Sequence, residues 1–335
     1  MKRAVVGVLG RLDGYAEAVY EVEGREHRGR LLPLALAAEG AEPLLVAPES
    51  LAVLAYGSAE EAAEALERGG LSGALSAKVK SVFGARATVI VAQGLGSYRG
   101  SFEAVFENHF DNVVAHLFLD LLGALGGLEE LVLDVSTGLN VYVAALMEAA
   151  RALIVYSKLR CALQGCAGVG ARIAAVPPVL GGGRYSVSLY EFTSKAFFEF
   201  PLKSLAFKPT HFVLSPLGDE AKAELAEELK EPVGRLKRIL AEARLAFNAL
   251  KYNVPLALYH EEVVNLKGAD PAAGLEALRA IVAGVERRKR VLVEGGRLVV
   301  RRLRLNRALV VNAALSLALL ESLREFYSAG VEGTE

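Results

Sequence analysis

Four short apolar runs of strand length mark the first part of the chain: RAVVGVLG (3–10), PLLVAP (43–48), ATVIVA (87–92) and LEELVLD (128–134). Segments with helical periodicity stand between them, among them SAEEAAEALERGG (58–70) and FEAVFENHFDNVVAHLFLDLL (102–122). Buried strands separated by helices predict a mainly parallel sheet with right-handed crossovers, a doubly wound α/β domain. ARIAAVPPV (171–179) and RYSVSLYEF (184–192) read as further strands, possible antiparallel additions to that sheet.

The pattern changes at PLKSLAFKPTHFVLSPLGDE (201–220), where prolines and a turn precede a long helical stretch. Helical patterns follow at 219–251, broken at Pro232, around 259–266, and at 272–286, where Asp270–Pro271 supplies an N-cap and a proline at the first helical position. RVLVEGGRLVVRRLRL interrupts them with two β-like runs about Glu294–Gly295–Gly296, a predicted hairpin over 290–303. A helix of about twenty residues from Asn306 closes the chain. The expected organisation is an α/β domain over 1–200 and a mainly helical domain over 201–335 that carries the hairpin.

Composition narrows the classes. The 335 residues are 53% hydrophobic and 23% charged, which fits an ordered globular protein. A net charge of −1 excludes a general polyanion binder and leaves nucleic-acid affinity to a local patch. Cys161 and Cys166 are the only cysteines; they make neither a disulfide framework nor a zinc set, and are expected to be two buried small hydrophobes. MKRAVVGVLGRLDGY turns polar too early for a secretory signal. The apolar stretch Ala308–Leu320 is shorter than the roughly 18 residues of a membrane span. A soluble, cytoplasmic protein is expected, with no membrane partner.

In an open parallel sheet, ligands bind outside the carboxyl ends of the strands. Three loops leave such ends: GRLDGY (10–15), QGLGSYRG (93–100) and DVSTGLN (134–140). Gly10, Gly94, Gly96 and Gly138 allow close backbone approach, and Arg11 and Arg99 add positive charge. The last loop runs into a helix, whose free N–H groups and dipole favour a phosphate. Ser136 and Thr137 can donate to phosphate or ribose oxygens; they are equally ordinary N-caps of that helix. GLGSYRG does not have the GxGxxG spacing and no GxxxxGK[ST] exists, so neither a dinucleotide fingerprint nor a P-loop is present. No cofactor and no metal are expected: His109 and His116, seven residues apart on one helix, are roughly 10 Å apart along its axis, too far to share a metal.

The chain resembles the CRISPR-associated proteins of the DxTHG family, which pair a CARF sensor domain with a helical HEPN domain. Asp134-Val135-Ser136-Thr137-Gly138-Leu139-Asn140 stands where that family carries DxTHGxN: Asp134, Gly138 and Asn140 match, while Ser136 and Thr137 replace Thr and His. VVGVLGRLDGYAEAVYEVEGREHRGRLLPLAL resembles the family's first strand, glycine loop and Tyr-rich segment, and QGLGSYRGSF falls where it has a second glycine loop. The resemblance implies a type III CRISPR accessory protein. It would bind cyclic oligoadenylate, cyclic tetra-adenylate foremost, in a pocket shared by a homodimer, with DVSTGLN cradling phosphate and ribose.

The family's ribonuclease motif, Arg followed four to six residues later by His, is absent. None of the five histidines has an Arg at that distance behind it. Arg307 and Asn312 keep the spacing with Asn in place of His, and Asn cannot serve as a general base near neutrality. A dead or very weak nuclease centre is expected. The densest basic segment includes Arg297, Arg301, Arg302 and Arg304; it reads either as a solvated hairpin or as a ribbon facing RNA or DNA. Two alternatives therefore accompany the sensor: a ring nuclease that cleaves the cyclic ligand, and a ligand-responsive regulator that binds DNA through the hairpin.

Overall fold

The computed structural model describes residues 2–84, 86–124, 126–177 and 182–332. The chain forms two compact units, Met1–Arg151 with Val169–Thr193 and Lys289–Arg302, and Ala152–Gly168 with Ser194–Arg288 and Leu303–Glu335.

The order of elements is β1 (Arg3–Val8), β2 (Ala18–Val22), β3 (Arg25–Gly29), α1 (Leu32–Leu36), β4 (Glu42–Pro48), α2 (Ala52–Ala55), α3 (Ala59–Glu67) and α4 (Leu71–Phe83). Then come β5 (Thr88–Ala92), β6 (Gly96–Arg99), β7 (Glu103–Glu107), α5 (Phe110–Ala124), β8 (Glu130–Asp134), α6 (Asn140–Arg160), β9 (Gly170–Ala175) and β10 (Arg184–Glu191). The helical stretch follows with α7 (Asp219–Glu228), α8 (Lys230–Lys251) and α9 (Pro271–Arg287), then the hairpin β11 (Arg290–Glu294) and β12 (Arg297–Arg301), and α10 (Arg307–Glu332).

The first unit is α/β, built on a mixed eight-stranded sheet ordered β3-β2-β10-β9-β8-β1-β4-β5. The four apolar runs form β1, β4, β5 and β8, and with β9 they are mutually parallel. β8 is buried along its whole length, as a strand covered on both faces must be. The connection from β9 to β10 is too short for a crossover helix, so β10 returns antiparallel. Val179, at the end of the run expected to continue β9, lies outside the described residues. β2 and β3, which the apolar pattern does not announce, form a hairpin at the sheet edge. Its two turn residues, Glu23 and Gly24, have φ values of 50° and 79°, the combination that matches strand twist.

Two expectations need correction. Residues 103–107 lie in a strand and not in a helix: Ala104 and Phe106 alternate into the core, and the helix begins only at Phe110. The hairpin is present, with Gly295 and Gly296 both at positive φ in its turn, but β12 pairs parallel with β7 in a second sheet ordered β11-β12-β7-β6. It therefore belongs to the first unit. The reason is apolar: Leu298 and Val300 are fully buried in a cluster with Leu45, Leu75, Val79 and Phe106.

In the second unit α8, α9 and α10 pack on one another. The break expected at Pro232 falls at Leu229, and Pro232 sits in the first turn of α8, where its missing N–H costs nothing. Asp270 caps α9 through Ala272 and Ala273, with Pro271 at the first position. Gly274 lets α9 approach α10; a Cβ there would stand 2.5 Å from Leu317. Cys161 and Cys166 also depart from expectation. The turn after α6 brings their Cα atoms within 5.1 Å and they form a disulfide, with Cys166 exposed. Among the described residues no helix is long and apolar enough to cross a membrane.

Candidate functional site

The chain leaves β1 for β4 on one side and returns to β8 on the other, so strand order reverses between β1 and β8. In register, Gly7 of β1 faces Asp134 of β8, and the loops that follow these two strands meet. A Cβ on Gly10 would lie 3.7 Å from the Gly138 Cα, and one on Gly138 would stand 2.6 Å from a Val8 methyl. Gly138 also holds φ at +92°, a conformation that favours glycine. Gly138 is needed for this approach, whereas a Cβ on Gly10 would meet Gly138 at ordinary contact distance and press only on the Tyr15 hydroxyl at 3.3 Å.

Asp134 is fully buried at this junction. Its Oδ1 accepts the backbone N–H of Ser136 at 3.0 Å and the Ser136 hydroxyl, while Oδ2 has no hydrogen-bond partner among the described residues. Burial pushes the carboxyl up, and the two bonds from Ser136 pull it back only in part. Thr137 donates its hydroxyl to the Val8 carbonyl at 3.2 Å. Both hydroxyls thus turn onto the β1–β8 floor; among the described residues neither caps α6, which starts at the exposed Asn140. Gly10 donates its N–H to the Tyr15 hydroxyl at 2.6 Å, and burial raises the phenol of Tyr15. Arg11 projects into solvent and pairs with Asp13 at 3.1 Å.

The loop after β5 is fixed from three sides. Gly94 donates to Glu49 at 2.7 Å, its carbonyl accepts from Asn108 at 2.9 Å, and Leu95 donates to the Tyr142 hydroxyl at 2.8 Å. Gly94 is a packing glycine, since a Cβ there would stand 2.2 Å from the Phe106 ring. Gly96, at φ +95°, opens β6, and Arg99 at the far end of that strand is exposed, 3.9 Å from Glu103. Gly10, Asp134, Ser136, Thr137 and Gly138 therefore form one cluster, while Gly94, Gly96 and Arg99 belong to the loop and strand beside β7.

The basic segment does not form one ribbon. Arg302 is buried and bound to Glu49, so it is withdrawn from any nucleic-acid surface. Arg301 pairs with Glu107 at 2.8 Å, Arg297 is exposed at the turn, and Arg304 lies in the second unit. Arg307 begins α10 behind Asn306, which accepts from the Leu309 N–H at 3.2 Å; Asn312, half-buried, lies further along the same helix. The sequence pattern passed over Tyr15, Glu49, Asn108 and Tyr142. Each touches a loop backbone atom; Tyr15 stands within its own loop, whereas Glu49, Asn108 and Tyr142 lie far along the chain from the atoms they hold and carry no local signal.

A mixed sheet with β1 central and glycine loops at the ends of β1 and β8 defines a class, an α/β domain that presents its strand ends to a ligand. Residues 4–164 match the family model described as CRISPR system endoribonuclease Csx1, CARF domain. The match supports a CRISPR CARF-domain protein. No curated protein matches the chain.

Proposed function

We propose that the first unit is the sensor of a type III CRISPR accessory protein. In this reading it binds cyclic oligoadenylate, with cyclic tetra-adenylate the first candidate, in a pocket completed by a second copy of the chain. The match to the CARF domain model supports the ligand class. The observation that carries the placement is the interlocking of the Gly10 and Gly138 loops over the buried Asp134. A two-fold dimer would offer these loops twice to a ligand with its own two-fold symmetry.

The residues suit holding better than cutting. Asp134 is sealed from solvent and held toward its neutral form, which fits a floor and not a general base. Its bond to Ser136 fixes the chain entering α6, and Gly138 keeps the following backbone open to an anion near that helix start. Tyr15 covers the Gly10 N–H, so a phosphate taking that donor displaces the phenol. Binding without cleavage is thus the leading reading, and a ring nuclease the alternative. The second unit would be a HEPN-like effector whose Arg307 and Asn312 keep only the spacing of a ribonuclease motif. A DNA-binding hairpin is disfavoured by the burial of Arg302 and the pairing of Arg301.

One incubation with labelled cyclic tetra-adenylate and a labelled RNA separates these readings. Retention of intact ligand with intact RNA is expected. Linear adenylate products would establish the ring nuclease instead, and ligand-dependent RNA fragments would establish a live effector. Absence of binding to cyclic tri-, tetra- and hexa-adenylate would overturn the sensor.

A further inference from the structure

The second unit contains a cavity of about 470 Å³ with no part in the reading above. It lies where the end of α6, the start of α9 and the end of α10 come together, and its volume falls in the range of small-molecule sites.

Its hydrogen-bonding groups are unevenly committed. The carboxylates are engaged. Asp270 accepts from Ala272 and Ala273 at 3.0 and 3.2 Å and stands 3.7 Å from Arg324, and Glu321 pairs with Arg160 at 2.7 Å. The donors have capacity to spare. A guanidinium carries five N–H groups, and both Arg160 and Arg324 are part-exposed in the cavity wall. The Tyr156 side chain lines the same cavity with only 8% of its surface exposed, and its hydroxyl makes no hydrogen bond among the described residues. Burial raises this phenol to about 12, so at neutral pH it is a donor. Burial also raises Glu321, and its pairing with Arg160 opposes that shift. Glu325 stands exposed on the rim, where solvent screens it. Pro271 and Leu275 add an apolar wall.

We infer that this cavity binds a phosphate monoester of nucleotide size, with the phosphate held by Arg160, Arg324 and the Tyr156 hydroxyl and the organic body against Pro271 and Leu275. Two guanidiniums match a dianion, and their forked N–H groups suit phosphate oxygens. The Tyr156 hydroxyl has no protein partner among the described residues, so a ligand oxygen can accept its hydrogen bond.

The source of the phosphate could be a free mononucleotide or the phosphorylated end of an oligonucleotide, and the test has arms for each. Calorimetry on the full chain would compare AMP, adenosine, inorganic phosphate and a tetra-adenylate with and without a 5′-phosphate. AMP or the 5′-phosphorylated strand is expected to bind at least tenfold more tightly than its unphosphorylated counterpart. Tyr156→Phe, which retains the ring, is expected to weaken that binding about tenfold, and Arg324→Gln more, with the melting temperature of Tyr156→Phe unchanged. Saturating cyclic tetra-adenylate should leave the binding in place, since the first site is elsewhere. The inference is overturned if no phosphorylated probe binds at millimolar concentration. It is equally overturned if adenosine binds as well as AMP, or if binding survives both substitutions.

Discussion

Arg302 reaches Glu49 across 253 positions of chain, with Nη2 3.0 Å from Oε1 and 2.9 Å from Oε2. The same carboxylate accepts the Gly94 N–H, so one buried ion pair fixes the strand that ends at Arg301 and the loop that leaves β5. Arg302 therefore supports the shape of a glycine loop from inside the first unit.

Breaking that pair from one side leaves a buried charge alone. Arg302→Met is expected to lower stability by about 3–5 kcal/mol. Glu49→Gln, which keeps an oxygen for Gly94, should cost less. Urea unfolding of the two variants measures the order, and equal, small losses would show that the pair carries no such weight.

Ser136 and Thr137 each donate to the protein, and each donation is worth about 0.5–1.5 kcal/mol of stability. Ser136→Ala and Thr137→Val should both show such a loss in thermal unfolding without ligand. If the loop cradles a phosphate, Ser136→Ala should also weaken cyclic tetra-adenylate binding by about 1.5–3 kcal/mol. Unchanged affinity in both variants would reduce these hydroxyls to fasteners of the β1–β8 floor.

Asp134 gives a pH signature. Its folded-state pKa lies above the ordinary 3.8, so the unfolded chain ionises first as pH rises. Stability is then highest below the ordinary carboxylate range and falls until pH passes the folded value. Asp134→Asn imitates the neutral acid and keeps the acceptor for Ser136. The variant should lack this fall and be at least as stable as the parent at pH 7. Asp134→Ala, which strands the Ser136 N–H, should lose about 1–3 kcal/mol. Unfolding free energies from pH 4 to 8, compared as differences from the parent, decide it.

The Cys161–Cys166 bond closes a very short loop, beside which Leu163 donates to the Ser322 hydroxyl at 2.9 Å. Reduction by a dithiol, or Cys161→Ser with Cys166→Ser, is expected to cost about 2 kcal/mol. Denaturant unfolding with and without reductant measures it, and the double variant should be insensitive to reductant.

The parallel core was legible because β1, β4, β5 and β8 each carry an apolar run; β1, β4 and β8 are buried along nearly their whole length, and the edge strand β5 only in part. The β2–β3 hairpin was not, since AVYEV and REHRG mix charges with buried Tyr20 and His27 at a sheet edge. FEAVFE read as helix because it runs directly into one; its partners, β6 and β12, include a strand nearly two hundred residues away. At the candidate site, the glycines of the three loops stand there for different physical reasons. Gly138 serves the loop geometry, whereas Gly94 is required by the Phe106 ring. The pairing of Cys161 with Cys166 was missed because five-residue spacing carries no redox signature, and only the turn after α6 brings the two together.

The late arrival of β12 has a consequence for how the protein is made. β7 emerges from the ribosome long before the strand that covers it, and at about 5–20 residues per second the gap is roughly ten to forty seconds. During that time one edge of β7 presents unpaired N–H and C=O groups. The buried places of Leu298 and Val300 stay unfilled until the hairpin is synthesised. A fragment stopped near residue 200 would keep that open edge permanently, so a soluble sensor unit has to be cut from this chain with its hairpin grafted back on.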